Sequence, residues 1–302
     1  MPSALVAGVE MGGSKCVCIV GSGPEDIRAQ AIVPTRDPAA TLGAIARVLE
    51  QWDATLGKLE AIGVAAFGPL DLRRDSPGFG RMGATPKVGW AGTDLAGFFA
   101  ARFGAPVRMT TDVTGAALAE GRWGAARTLS EYVYITVGTG IGVGMVVAGR
   151  PVLGCHHPEL GHVRVARLAG DDWPGHCPFH GDCVEGLASG PAIEARSGTS
   201  ATALPDDNPI WDGVAHALGQ LAHILVVSLA PQRILIGGGV LSGRPSLFPR
   251  IRACLAASLN GYLDFPELRS VRQDYISPPG LGTRAGPLGA FAIALSAMNP
   301  VA

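Results

Sequence analysis

The sequence predicts an α/β protein made of two related halves, each opening on a strand, a glycine turn and a second strand. Three observations carry this reading. An apolar run at 5–9 leads into Glu10-Met11-Gly12-Gly13-Ser14-Lys15, and a second apolar run follows at 16–20. About 125 residues later the pattern recurs: an apolar run at 132–137, the alternating glycines of Gly138-Thr139-Gly140-Ile141-Gly142-Val143-Gly144, and a second run at 145–148. Around both units, strand-like runs alternate with segments of helical periodicity, the arrangement that covers a sheet with helices. Two such halves predict a cleft between them.

The remaining elements follow in order. Residues 42–52 carry helical periodicity, and 61–66 form a buried-strand run broken by Phe67-Gly68-Pro69. Residues 107–111 read as a strand ending at Asp112, and the small residues at 114–121 as a helix. A further strand at 233–236 ends in Gly237-Gly238-Gly239, and 285–298, rich in Ala and Leu, closes the chain as a helix. The repeated unit places the division near Thr114. Residues 1–114 with the closing segment 285–302 form one domain, and 115–284 the other, with a metal-binding loop at about 154–185 inside it.

Composition narrows the function. The chain has 302 residues, 47% apolar and 16% charged, with a net charge of −1. That is long enough for two cores and too apolar for disorder. Near-neutral, scattered charge predicts no nucleic-acid partner and no anionic membrane surface. No uninterrupted apolar run approaches the 18 or so residues of a membrane span, and residues 221–229, the most apolar helical stretch, are broken by His223. No secretory leader is visible, so the expectation is a cytoplasmic protein. Six cysteines are too few for a disulfide scaffold; Cys16, Cys18 and Cys254 read as small buried residues.

Chemistry concentrates in four places. His162, Cys177, His180 and Cys183 form a set of two imidazoles and two thiols that zinc accepts in a closed tetrahedral site. The surrounding loop is rich in Gly and Pro, so metal binding would supply its local folding energy. On spacing alone, Cys155, His156, His157 and His176 compete as ligands. Glu159 stands three residues before His162 and shares a face with it on a helical turn, which couples a carboxylate to the metal segment. The turns at Gly12-Gly13-Ser14-Lys15 and at 138–144 can present backbone N–H groups to phosphate oxygens, or can serve strand packing alone. Gly237-Gly238-Gly239 allows close approach to a flat ligand. Asp112, at a strand end, can accept a proton from a substrate hydroxyl, cap the following helix, or do both.

Taken together, these motifs resemble the ROK family (repressors, open reading frames and sugar kinases), over the length of the chain. Residues 10–15 look like its first phosphate motif, 137–144 like its second and 234–240 like its adenosine motif; Glu159-Leu160-Gly161-His162 matches its Glu-x-Gly-His signature. Within the family the chain is most similar to the bacterial fructokinase branch. The supporting words are Phe67-Gly68-Pro69, Ala84-Thr85-Pro86-Lys87, residues 177–183 with His180 in place of a thiol, and Glu185-Gly186-Leu187-Ala188-Ser189-Gly190-Pro191-Ala192.

The resemblance implies a hexokinase and actin-like ATPase fold of two domains around a cleft. It implies phosphorylation of D-fructose to fructose 6-phosphate by ATP. Asp112 is then the catalytic base. Gly68, Asp112, Glu159, His162 and Glu185 meet the sugar. Gly12, Gly13, Ser14, Lys15, Thr139, Gly140, Gly190, Pro191, Gly237, Gly238 and Gly239 meet ATP. It also implies one structural Zn²⁺ on His162, Cys177, His180 and Cys183, Mg²⁺ with ATP, and a homodimer. Glu10 and Ser14 stand where the wider family has Asp and Thr, and keep the functional groups. Thr114 and Gly115 replace a usual Asn-Ala, which weakens a sugar contact. The same chemistry on glucose, mannose or an N-acetyl hexosamine is the alternative. A sugar-responsive repressor would need a helix-turn-helix domain before the first strand, where only a few residues stand. A sugar-binding protein without catalysis is disfavoured by Asp112 and both phosphate turns.

Overall fold

The computed structural model describes residues 4–85, 87–263, 265–266, 268 and 274–298. Pro86 of the Ala84-Thr85-Pro86-Lys87 word and residues 299–302 of the closing segment lie outside the described residues. The chain divides into two compact units, one of Met1–Arg127, Pro151–Pro158 and Arg284–Ala302, the other of Thr128–Arg150 and Glu159–Thr283.

The first unit opens on a three-stranded antiparallel run, β1 (Val6–Met11), β2 (Lys15–Gly23) and β3 (Asp26–Pro34). Helix α1 (Pro38–Leu56) then crosses to β4 (Ala61–Ala66), and α2 (Leu95–Phe103) to β5 (Val107–Thr111). The sheet order is β3-β2-β1-β4-β5, with β4 parallel to β1 and β5 parallel to β4. Helix α1 begins four residues earlier than its periodicity because Asp37 caps it, accepting the Ala40 N–H at 2.9 Å, and Pro38 fits the first turn. Its Leu42, Ile45, Leu49 and Trp52 are buried at helical spacing. The edge strand β3 was not foreseen: Gly21-Ser22-Gly23-Pro24 precedes it, but its exposed residues alternate and no long apolar run marks it.

Helix α3 (Asp112–Trp123) follows β5 directly. Thr111 caps it, accepting from the Thr114 N–H at 3.2 Å, so Asp112 is the first helical residue and not the cap. Residue 114, the expected point of division, lies within this helix, which stays with the first unit.

The closing helix (Ala285–Met298) returns to the first unit and packs on β1, β4 and α3. At three glycines it meets bare backbone. A Cβ on Gly8 of β1 would stand 2.7 Å from the Phe291 nitrogen, and one on Gly63 of β4 2.7 Å from the Ala294 nitrogen. On α3, a Cβ at Gly115 would lie 3.0 Å from the Ala65 Cβ and 3.4 Å from the Gly289 carbonyl carbon. Gly115 thus lies where two helices touch.

The second unit repeats the plan. A hairpin of β6 (Tyr132–Val137) and β7 (Ile141–Val147) is extended by β8 (Arg150–Pro151). Helices α4 (Val184–Ala188), α5 (Gly190–Ser197) and α6 (Ile210–Leu229) precede β9 (Arg233–Gly237), and α7 (Leu247–Leu259) precedes β10 (Ile276–Ser277). The order β8-β7-β6-β9-β10 matches, position for position, that of the first sheet. The internal repeat read from the glycine turns is therefore a repeat of sheet topology. One detail differs: β7 begins at Ile141, so the turn is only Gly138-Thr139-Gly140, and Gly142 and Gly144 lie within a strand.

Helix α6 extends well beyond 221–229 and is long and apolar enough to cross a membrane by length and composition alone. Its Trp211, Val214, Leu218, Leu221, Ala222 and Leu225 form a buried stripe, the pattern of a core helix.

The contact between the closing helix and β4 predicts a large asymmetry between glycines. Gly63→Ala should cost about 1–3 kcal/mol in urea denaturation, because its Cβ meets rigid helix backbone. Gly23→Ala, whose Cβ meets nothing within 4 Å, should stay within about 0.5 kcal/mol of wild type.

Candidate active site and metal centre

In the first unit, the candidate residues gather at the carboxyl ends of β1, β4 and β5, where ligands bind in open α/β sheets. Glu10 is the penultimate residue of β1. Burial pushes its carboxyl up to about 7, the Asp112 charge adds to this, and Lys15 opposes it. The half-buried Asp112 carboxyl is also raised, by desolvation first, and accepts the Val113 N–H at 2.8 Å. Gly12-Gly13-Ser14 form the turn into Lys15, closed by a Gly12 N–H to Lys15 carbonyl bond of 3.0 Å. The buried Thr114 hydroxyl accepts from the Thr111 hydroxyl at 2.7 Å, so this side chain is committed to the helix start.

Gly68 follows β4 in the Phe67-Gly68-Pro69 segment. His157, weighed as a zinc competitor, is buried here instead: its Nε2 accepts the Leu70 N–H at 2.9 Å, and burial, then His156, lowers its pKa to about 4. A neutral imidazole therefore holds the chain just past Pro69. That role was missed because it depends on a partner 87 residues away in sequence.

In the second unit, three glycine segments meet at the end of β6. The Gly190 N–H, at the start of α5, donates to the Gly138 carbonyl at 2.7 Å. The Val240 N–H, just past Gly239, donates to the Val137 carbonyl at 3.0 Å. Gly238 has φ +95° and lies against the Val137 backbone, so a side chain would be both strained and blocked there. Ser189 caps α5 on the Ala192 N–H at 3.3 Å, with Pro191 in its first turn. Thr139, Gly140, Gly190, Pro191, Gly237, Gly238 and Gly239 are thus brought to one place. N–H groups at a turn and at a helix start suit phosphate oxygens.

The four candidate metal ligands come together as well. Donor atoms of His162, Cys177, His180 and Cys183 all lie within 4.8 Å of one another. Cys177 Sγ is 3.6 Å from Nδ1 of both His162 and His180, and Cys183 Sγ is 3.7 Å from Nδ1 of His162. Tetrahedral zinc, with bonds of about 2.3 Å to sulfur and about 2.0–2.1 Å to nitrogen, spaces S and N about 3.5–3.6 Å apart. The set fits the ion in both chemistry and spacing. Burial pushes the Cys183 thiol up to about 11, so a thiolate there requires a cation. Among the described residues, none of the alternatives Cys155, His156, His157 and His176 joins this cluster, and His157 is committed to Leu70.

Two features connect this centre to its surroundings. Leu160–His162 form a 3₁₀ turn entered from Glu159, so Glu159 and His162 share a face. With Nδ1 of His162 turned to the sulfurs, its Nε2 faces Glu185 Oε1 at 3.9 Å. The other Glu185 oxygen accepts the Ile141 N–H at 2.9 Å. One carboxylate therefore links the histidine of the metal set to the turn at 138–140.

Two sheets of identical strand order, each with a glycine turn after its first strand, define a duplicated α/β protein. The ROK family signature spans residues 6–297, and the chain belongs to that family. It is 37% identical over 295 residues to the fructokinase of Pediococcus pentosaceus, covering 98% of this chain and 99% of that one. It is 38% identical to the fructokinase of Zymomonas mobilis, covering 96% of each. The ROK hexokinase of Thermus thermophilus superposes with a TM-score of 0.76 at 26% identity, over 98% of this chain and all of that one.

Two outcomes test this geometry. Elemental analysis should find one zinc per chain, and Cys177→Ser or His180→Ala should each remove most of it; full zinc in either variant would assign the ligand elsewhere. Glu10 gives a pH signature. A carboxyl raised from 4.5 to about 7 stabilises the fold only while protonated, so its contribution is complete below pH 4.5 and lost as pH rises through 7. Glu10→Gln should therefore be more stable than wild type at pH 8 by up to about 3 kcal/mol, and nearly equal at pH 4.5, in paired denaturation curves.

Proposed function

We propose that this protein is an ATP-dependent fructokinase that converts D-fructose to fructose 6-phosphate. The observation that carries the reading is Asp112. It is a carboxylate at a strand end, raised toward neutral pH by its own burial, in the same unit as a turn that exposes amides. Near-full-length similarity to two fructokinases supports fructose as the acceptor.

In this reading Asp112 accepts the proton of the sugar 6-hydroxyl. The oxygen then attacks the γ-phosphorus of ATP, the bond from that phosphorus to the β–γ bridging oxygen breaks, and ADP leaves. A base with a pKa shifted toward the working pH is more effective than an ordinary Asp. Phosphoryl transfer otherwise needs positioning and charge neutralisation. Gly12, Gly13, Ser14 and Lys15 of the first unit contribute amides and a cation to the phosphates. Thr139, Gly140, the α5 start at Gly190 and Pro191, and Gly237 to Gly239 contribute on the nucleotide side. Magnesium accompanying ATP would neutralise phosphate charge, and Glu10 would offer a carboxylate oxygen to its water shell.

Sugar hydroxyls are assigned to Gly68 and Asp112 in the first unit and to Glu159, His162 and Glu185 in the second. His162, Cys177, His180 and Cys183 would hold zinc in a structural part, which would fix the His162 ring and so the face shared with Glu159.

A coupled ADP-release assay across fructose, mannose, glucose and N-acetyl hexosamines tests the function. Fructose should give the highest kcat/KM. A higher value for another hexose would overturn the acceptor and leave the kinase assignment standing. Asp112→Asn should lower kcat by about 10²–10⁴ with sugar binding retained. Near wild-type turnover in that variant would remove Asp112 as the base.

A further inference from the structure

Four backbone carbonyls surround the turn from β1 to β2, and each has a donor. Gly12 O accepts from the Thr35 hydroxyl at 2.8 Å, Ser14 O from the Thr35 N–H at 3.0 Å, and Lys15 O from the Gly12 N–H at 3.0 Å. The fourth, Gly13 O, accepts from the Lys87 ammonium. The amides behave differently. Among the described residues, no acceptor is found for the N–H of Gly13 or of Ser14.

The two facts are connected by the geometry of the peptide. A trans peptide points its C=O and N–H in opposite directions. A donor on Gly12 O therefore sends the Gly13 N–H the other way, and a donor on Gly13 O does the same to the Ser14 N–H. Thr35 holds the first of these two peptides and Lys87 the second. A charged donor on the carbonyl also polarises the peptide and strengthens its N–H as a donor.

Lys87 is well placed for this. Its own N–H donates to the Thr85 hydroxyl at 3.3 Å, and its carbonyl accepts the Trp90 N–H at 3.2 Å. Trp90 is fully buried and its indole N–H donates to the Arg36 carbonyl at 2.8 Å. The Trp90 ring meets Phe67 edge-on at 5.1 Å, and the Lys87 ammonium lies 6.0 Å from the same Phe67 ring. The Phe67 N–H, in turn, donates to the carbonyl of Met11, the residue before the turn. Among the described residues no carboxylate pairs with the Lys87 ammonium. The lysine is half-buried and directed at a carbonyl, unlike an ordinary solvated surface cation.

We propose that Lys87 is a positioning residue of the phosphate turn. Acting through the Gly13–Ser14 peptide, it aims the Ser14 N–H at the terminal phosphate of the nucleotide, as Thr35 aims the Gly13 N–H. The proposal rests on the kinase reading above and adds to it two residues outside the glycine turn. Lys87 belongs to the Ala84-Thr85-Pro86-Lys87 word, so the word acquires a physical role: it secures the turn from the side opposite its free amides.

The test uses Lys87→Met, Lys87→Arg and Thr35→Val in the full chain. Steady-state kinetics would be run with ATP and fructose varied separately, together with calorimetric titration of a non-hydrolysable ATP analogue and thermal melting. Lys87→Met should lower kcat/KM for ATP about tenfold to hundredfold, the effect of misplacing one charge-stabilising donor. The fructose KM should change less than twofold and the melting temperature by less than about 2 °C. Lys87→Arg keeps a charged donor and should recover most of the loss. Thr35→Val should give a loss of the same kind, on ATP and not on fructose.

An unchanged Lys87→Met enzyme would overturn the proposal. So would an equal loss for both substrates with a lowered melting temperature, which is the signature of a purely structural residue. A loss in Lys87→Met with a silent Thr35→Val would mean that the ammonium touches phosphate itself and that the peptide is not the intermediary. If the wild type phosphorylates no hexose, the kinase reading fails by that result alone, and the analogue titration still decides the role of Lys87.

Discussion

The first unit depends on the approach of the closing helix to bare backbone. Gly8 in β1, Gly63 in β4 and Gly115 in α3 each present no side chain to this helix, and Gly289 on the helix answers Gly115. A helix carrying Leu288, Phe291 and Ile293 thereby lies directly on the sheet and on α3. The consequence reaches the chemistry. Gly286, in the first turn of the closing helix, abuts the Glu10 carboxylate, where a side chain would collide with it. The same packing that excludes water from the core desolvates Glu10 and raises its pKa. Tight packing and a perturbed acid are one feature, seen from two sides.

The second unit solves a different problem. The segment at 159–185 has little regular structure and few large apolar residues, so burial alone cannot hold it. Two devices act in its place. One is the His162, Cys177, His180 and Cys183 set, whose spacing suits zinc. The other is an ionic network: Asp171 meets both guanidinium nitrogens of Arg196 at 3.0 Å, Arg167 reaches Asp182 at 3.1 Å, and the His216 ring on α6 bonds the Ala166 carbonyl at 2.9 Å. The network secures the outer part of the loop. The cysteine and histidine set controls the inner part, where His162 and Glu185 face each other.

Much of the site was legible in the chain because its chemistry is local. The metal set lies within 22 residues, at a spacing that geometry bears out as a single cluster. The glycine turns were legible as glycine clusters between paired apolar runs, and their recurrence announced the duplicated topology. Asp112 stood out as a carboxylate at a strand end, although its alternative reading as a cap was wrong, since the Thr111 hydroxyl takes that position. His157 was misread as a candidate ligand because a histidine near cysteines looks alike in sequence whether it faces a metal or a buried amide.

By itself, then, the sequence determined the fold class, the duplication, the family and four side chains whose chemistry suits a metal, all of which follow from residue type and recurring motifs. Only the tertiary structure decided which donors hold which groups. Lys87 on the Gly13 carbonyl spans 74 residues, His157 on the Leu70 amide 87, and Glu185 on the Ile141 amide 44. The Glu10 carboxyl owes its pKa to burial among groups brought together by folding. Hydrogen-bond direction and desolvation depend on distances between chain segments that no local pattern records. For that reason the parts of the site could be read from the sequence, whereas their orientation and acidity required the fold.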